Sequence, residues 1–106
     1  MEEPTLDHGT QPLDALMERW KLTNHQLVEA SPEQLSHKQV QKARKGRKLT
    51  LPMMQKVARS LNIAVWTELK KDEKEVYFEY LHKHVFNYAK GYDPDWVDPN
   101  EALFPK

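Results

Sequence analysis

Residues 22–46 have the sequence LTNHQLVEASPEQLSHKQVQKARKG, which contains two helix starts of the same design. Gln26 follows Thr23 by three residues, and Gln39 follows Ser36 by the same interval. Each pair can form a capping box, in which the side chain of one residue bonds the backbone N–H of the other. The stretch therefore predicts two short helices that are joined by a connection of a few residues.

Apolar residues at helical spacing predict further helices on both sides of this stretch. Pro12 can open a first helix, because its missing N–H is not needed in the first turn. Thr50 is a third polar N-cap, and we expect its helix to end near Leu61. Asn62 would then adopt the left-handed conformation that ends many helices.

The C-terminal part is predicted to hold one more helix and a tail. An amphipathic helix is expected within residues 70–91, beginning at Asp72 and ending at Gly91. Two Asp-Pro pairs predict that residues 92–106 form an extended or turned tail. At the other end of the chain, residues 1–11 are predicted to be disordered.

Charge is segregated along the chain, although the formal net charge is zero. Residues 34–67 contain eight Lys or Arg and no Asp or Glu. Residues 1–33 carry two bases and seven acids, and residues 68–106 carry six bases and nine acids. A positive stripe between acidic ends is an electrostatic footprint for a polyanion, and nucleic acid is the first candidate.

Length and composition disfavour several classes of protein. A chain of 106 residues forms one small domain with tails, and without cysteine it has neither a disulfide nor a thiolate site. The scattered histidines show no catalytic or metal-binding spacing, so we expect no enzyme, no cofactor and no metal site. No apolar run approaches the roughly 20 residues of a membrane span, and the acidic N-terminus is unlike a signal peptide. A cytoplasmic, nucleoid-associated protein is expected.

The order of the predicted helices resembles the helix-turn-helix domain of the lambda repressor and Cro (XRE-type) family across residues 12–69. The resemblance implies an all-α, lambda repressor-like bundle of four to five short helices, here with an added C-terminal helix and an extended tail. It also implies binding to double-stranded DNA through a recognition helix at 36–45. The segments that carry the resemblance are residues 22–28, 36–46 and 49–63.

Two positions depart from the family pattern. The connection at 30–36 is longer than the family's tight turn and contains Pro32. Arg44 stands where many members carry an acid, which either removes an internal ion pair or adds a phosphate contact.

Helical geometry predicts which residues of the recognition helix face outward. With Val40 set inward, a rotation of about 100° per residue points Lys38, Lys42 and Lys45 away from the core, with Gln41 beside them. In a major groove, Lys can donate to guanine and Gln can bond adenine. The predicted base contacts are His37, Lys38, Gln41 and Lys42.

Phosphate contacts are expected at the end of this helix and just beyond it. The predicted residues there are Lys45, Arg47 and Lys48. Thr23 and Asn24 resemble the family's phosphate-contacting positions at the start of the second helix, where exposed N–H groups can bind anions.

Two functions remain open. The first is a sequence-specific transcriptional regulator, phage-repressor-like or antitoxin-like, which binds DNA as a homodimer. The second is a helical protein-protein interaction module, antitoxin-like or an adaptor, that keeps the fold without binding DNA. In either case the C-terminal segment is a candidate surface for a protein partner, and the dimerisation candidates on it are Tyr77, Tyr80, Leu81, Val85 and Tyr88.

Overall fold

The computed structural model describes residues 8–104, and within them the protein is all-helical, with six α-helices and no β-strand. None of the helices in this part of the chain is long and apolar enough to cross a membrane. The helices are α1 (Pro12–Arg19), α2 (Asn24–Ala30), α3 (His37–Lys45), α4 (Leu51–Glu68), α5 (Lys71–Lys74) and α6 (His82–Val85), and a short 3-10 helix follows at Glu101–Leu103.

The predicted helix starts at Thr23, Ser36 and Thr50 are confirmed by their hydrogen bonds. Thr23 Oγ1 accepts from the N–H of Gln26 at 3.2 Å, and Gln26 Oε1 accepts from the N–H of Thr23 at 2.8 Å. The same reciprocal pair joins Ser36 and Gln39 at 3.1 and 2.9 Å. Thr50 caps α4 as predicted, since its hydroxyl accepts from a backbone N–H in the first turn at 3.4 Å. These starts depend only on local sequence.

The predicted end of α4 is wrong. The helix does not stop near Leu61 but continues to Glu68, and Asn62 lies within it rather than in the left-handed conformation. The reason is tertiary packing: the buried face of the helix continues through Ala64 and Val65. Burial of this apolar face contributes more to the stability of the helix than the local preference of Asn62 for ending it takes away.

A continuous helix within residues 70–91 is also a wrong prediction. Only the single turns α5 and α6 are helical there, with residues 76–81 between them outside any helix. In place of helical hydrogen bonds, Phe78 and Tyr80 pair their backbone groups with side chains from elsewhere in the chain.

The C-terminal part joins the same core as α1 to α4. Tyr80 is 1% exposed, and its hydroxyl accepts from Trp20 Nε1 at 3.1 Å and donates to Asp98 Oδ2 at 2.5 Å. Burial raises the pKa of Tyr80, which keeps this hydroxyl a neutral donor. Residues 92–100 contain no helix and include turns, as predicted, whereas residues 101–103 of the predicted tail form a 3-10 helix.

Residues 8–11 are held against the domain by the hydrogen bonds of His8 and Gln11, which corrects the prediction that residues 1–11 are disordered; residues 1–7 lie outside the described part of the chain. The N–H of His8 donates to Gly46 O at 2.7 Å, and the 1%-exposed Gln11 accepts from the N–H of Asn87 at 2.7 Å. Gly46 ends α3 with φ 97°, and a Cβ there would overlap the carbonyl oxygen of Gly9. Only glycine fits at position 46, where the backbone of residues 8–9 passes this close to the end of α3.

Candidate nucleic-acid interface

Helix α3 buries one narrow face and exposes the other. Its buried residues are Val40 and Ala43, both fully inaccessible. The outward direction that helical geometry predicts is confirmed for Lys38, Lys42, Lys45 and the neighbouring Gln41, all of which are exposed, and His37 is exposed as well. This exposed face is polar and basic along its whole length, which suits contact with a nucleic-acid groove.

The two remaining predicted phosphate contacts lie in the loop after α3. Arg47 and Lys48 are exposed, and the backbone that carries them is held in place by Tyr88. The Tyr88 hydroxyl accepts from the N–H of Leu49 at 3.0 Å and donates to Arg47 O at 3.2 Å. Their side chains therefore extend from a fixed backbone beside the end of α3.

Three of the eight basic residues at 34–67 are engaged within the protein. Arg44 bonds Asp14 and Asn24, Arg59 forms two hydrogen bonds to the Glu33 carboxylate at 2.9 and 3.0 Å, and Lys56 Nζ donates to Gln34 O at 2.8 Å. The other five form no side-chain hydrogen bond or ion pair with any residue in the described range 8–104. We call these five the basic patch: Lys38, Lys42, Lys45, Arg47 and Lys48.

The long connection between α2 and α3 is anchored to α4. Ser31 Oγ donates to Glu33 O at 2.9 Å within the connection itself. The bonds from Lys56 and Arg59 on α4 then hold its middle, and the buried Leu35 closes it before α3 begins. The length of this connection therefore does not leave α3 loosely attached.

The predicted phosphate contacts at the start of α2 are partly occupied. Thr23 uses its N–H and its hydroxyl oxygen in the capping box. Asn24 Oδ1 accepts from Arg44 Nη1 at 2.8 Å, which leaves the Nδ2 group of Asn24 as the donor for an outside ligand. Of the two alternatives that the sequence left open for Arg44, the loss of an internal ion pair is wrong, because its guanidinium forms one with Asp14 at 2.6 Å.

A histidine that sequence reasoning missed lies beside the predicted base-contacting residue His37. The rings of His25 and His37 stack with centroids 5.5 Å apart and planes 9° from parallel. His25 Nε2 also lies 3.5 Å from the Glu29 carboxylate. The stack places the first turn of α2 against the first turn of α3. Its sequence signal is weak, because the two residues belong to different helices separated by a connection.

The dimerisation candidates do not form one surface. Tyr80 and Val85 are buried inside the chain, and Tyr77 and Tyr88 pack against its core. Leu81, 46% exposed, is the most accessible of the set. The predicted helical dimer face is absent because the helix that would carry it is interrupted.

The described residues offer no arrangement for metal binding. Within residues 8–104, no group of three or more His, Asp or Glu side chains could hold a metal ion. A hollow of about 480 Å³ beside the start of α3 is lined by Gln34, Leu35, Ser36, Gln39 and Lys56. The basic patch is therefore the candidate site with the clearest chemistry.

Comparisons with protein families, with curated proteins and with solved structures gave no match to this chain.

Proposed function

We propose that this protein is a sequence-specific transcriptional regulator that binds double-stranded DNA as a homodimer, with α3 in the major groove. The observation that carries the proposal is the basic patch: five cations with no internal partner in the described chain, on one exposed helix face and the loop after it. Clustered cations of this kind bind phosphates and release counterions. A location at the nucleoid is part of the proposal.

The position of each residue in the patch determines whether we expect it to contact bases or phosphates. Lys38 and Lys42 lie in the body of α3 with Gln41 between them, where side chains reach base edges in a groove. Arg47 and Lys48 lie beyond the helix, where the DNA backbone would pass. His37 begins the helix and contributes a ring that can donate to or accept from a base.

Selection from a pool of random duplexes at moderate salt tests the proposal. We expect enrichment of an inverted repeat, because a two-fold dimer binds two half-sites. For five phosphates per subunit, log affinity should fall against log salt with a slope of about −5 per subunit. A single enriched half-site would keep DNA binding and remove the homodimer.

Two matched variants separate base contacts from phosphate contacts. Lys42→Ala should lower affinity and relax the base preference by about 1–3 kcal/mol at one position. Lys48→Ala should weaken all sequences alike and reduce the salt slope by about 1. Lys71→Ala, at an exposed lysine on α5 outside the patch, is the control. It should leave the base preference and the salt slope unchanged.

Two results would count against these assignments. Equal loss of specificity from Lys42→Ala and Lys48→Ala would contradict the division into base and phosphate contacts. Absence of any retained duplex even at low salt would favour the protein-interaction module.

A further inference from the structure

Two asparagine side chains pair with the backbone of residues 76–81. Asn100 accepts from the N–H of Phe78 and donates to its carbonyl, both at 2.8 Å. Asn62 does the same at Tyr80, at 2.8 and 2.7 Å. The N–H and C=O of one residue point in the same direction only in extended backbone, where alternate residues share an edge. Residues 77–81 are therefore extended, and the backbone groups of Phe78 and Tyr80 occupy the inner edge of this segment. We call it the lone strand, because it pairs with no other strand within residues 8–104.

The opposite edge of this strand has no partner. The backbone N–H and C=O groups of Tyr77 and Glu79 form no hydrogen bond with any of the residues 8–104. Val76 and Phe78 are 67% and 36% exposed beside them. An edge with unpaired backbone groups and apolar side chains is a template for another strand.

We propose that this outer edge pairs antiparallel with the same edge of a second copy of the chain, forming a two-fold homodimer. A two-fold interface uses the same surface of both subunits. Here the two-fold axis passes beside Phe78, so the residues on either side of Phe78 pair with each other across the axis. Tyr77 then exchanges two hydrogen bonds with Glu79 of the partner subunit, and Glu79 with the partner's Tyr77. Phe78 lies directly opposite the partner's Phe78.

The charge on the strand selects this register. Glu79 is the only charged residue at 76–81. A register that placed Glu79 opposite the partner's Glu79 would put like charges face to face, which destabilises a strand pair. The register centred on Phe78 instead pairs each carboxylate residue with a tyrosine. Two copies can therefore join through four backbone hydrogen bonds without a charge conflict.

Uncovered apolar surface next to the strand supports a protein partner at this edge. A hollow of about 230 Å³ opens between Tyr77 and Glu79 on one side and Ile63 and Trp66 of α4 on the other. Trp66 is 44% exposed there. A strand added at the edge would cover part of this surface and stabilise the pair through burial.

The position of the edge keeps the basic patch free. Asn62, which anchors the strand, lies eleven residues after Leu51 along α4, or roughly 16 Å from the end of that helix nearest the patch. A dimer at the strand would present two uncovered patches, as the proposed DNA reader requires. The inference itself does not depend on DNA binding, since it follows from the unpaired strand edge.

Cross-linking tests the register directly, because the chain has no cysteine of its own. Opposed residues of a non-hydrogen-bonded pair have Cα atoms about 4.5 Å apart, within the range of a disulfide. Under mild oxidation, Phe78→Cys should therefore give a covalent dimer that reductant reverses. Leu51→Cys, at a residue that is 50% exposed against 36% for Phe78 and lies at the far end of α4, is the control and should remain largely monomeric on a denaturing gel. Equal cross-linking of both variants would overturn the register.

Amide hydrogen exchange on the unmodified protein tests the edge without relying on the fold of a variant. Over a concentration series, the amides of Tyr77 and Glu79 should slow by roughly tenfold or more as the dimer forms. The amides of Phe78 and Tyr80 should be protected throughout. Glu79→Pro removes one donor at the edge and should abolish the concentration dependence.

Two outcomes would overturn the proposal. One is a chain that stays monomeric by sedimentation at about millimolar concentration, well above the range of weak transient pairs. The other is a dimer in which the amides of Tyr77 and Glu79 exchange freely. A dimer that binds no DNA would leave this inference intact and remove the proposed function. Monomers that bind a half-site would remove this inference and the homodimer while leaving DNA binding in place.

Discussion

The guanidinium of Arg44 joins three helices at one point. Its Nε donates to Asp14 of α1 at 2.6 Å, and its Nη1 donates to Asn24 of α2 at 2.8 Å, while Arg44 itself belongs to α3. The side chains of Arg44 and Asp14 are only 20% and 27% exposed, so solvent screens the pair weakly. The arrangement fixes α3 against both preceding helices, and a lysine could not make both bonds from one planar group.

Replacing Arg44 with methionine should therefore destabilise the whole domain. Arg44→Met leaves Asp14 and Asn24 without their donor in a half-buried site, and we expect a loss of roughly 2 kcal/mol in the free energy of unfolding. Arg59→Met removes a more exposed pair with Glu33 and should cost less than about 1 kcal/mol. Urea denaturation of the two variants measures the difference.

The same variant tests the internal role of Arg44. Because Arg44 is engaged inside the protein, Arg44→Met should keep the salt slope of DNA binding, even if affinity falls. A slope reduced by about 1 would instead identify Arg44 as a phosphate contact. Equal losses of stability from Arg44→Met and Arg59→Met would contradict the argument from burial.

At the scale of elements, the helix starts could be predicted and the C-terminal segment could not. A capping box involves only four consecutive residues, so the boxes at Thr23 and Ser36 identify where α2 and α3 begin without any tertiary information. The outward face of α3 follows from the same local periodicity. What sequence could not supply was the partner of each basic residue, because Asp14 and Glu33 pair with residues 30 and 26 positions away.

The segment 76–81 shows why a periodic pattern can mislead. Its aromatic and aliphatic residues satisfy helical spacing and equally suit a strand. The choice is made by Asn62 and Asn100, which bond the backbone at Tyr80 and Phe78 from 18 and 22 residues away. Such contacts have no local signature, so the strand was predicted as part of a helix.

Asn62→Ala should release this strand from α4. The change removes four hydrogen bonds: those to both backbone groups of Tyr80, the one to Ala58 O at 2.9 Å and the one from the Tyr77 hydroxyl at 2.6 Å. At about 1 kcal/mol for each lost bond, we expect a loss of roughly 3–4 kcal/mol in the free energy of unfolding. Hydrogen exchange should also show faster exchange at Tyr80. Gln55→Ala, on the same helix and without a side-chain bond in the described range, should change either measurement little.

At the scale of the whole molecule, the C-terminal third packs into the same hydrophobic core as α3, which carries most of the basic patch. Val85 and Phe86 are fully buried in it, and Tyr88 supports the loop that carries Arg47. The ring of His8 stacks on the ring of Tyr88 with centroids 4.4 Å apart, so the N-terminal end of the described chain also lies beside that loop. A perturbation of the C-terminal packing should therefore lower the stability of the whole domain and not only of a tail.

His84 makes that packing sensitive to pH. Its Nδ1 accepts from the N–H of Leu81 at 3.0 Å, its ring stacks on Trp96 at 4.2 Å, and it is 9% exposed. Burial, assisted by the charge of Lys83, lowers the pKa of His84 below its ordinary value of 6.5. As pH falls through 6.5, the unfolded chain binds a proton before the folded chain does. The contribution of His84 to stability is therefore fully present above about pH 7.5 and is lost as the pH falls toward its folded pKa.

His84→Asn keeps an acceptor for the N–H of Leu81 and removes the titrating ring. In urea denaturation at about pH 7.5 and 5.5, the variant should lose less stability on acidification than the unmodified protein, although its stability at the higher pH is lower because the stack on Trp96 is gone. His82→Asn, two residues away and more exposed, is the matched control and should keep the original dependence on pH. If His84→Asn retained the full dependence on pH of the unmodified protein, the buried stack would not be the source of the acid sensitivity.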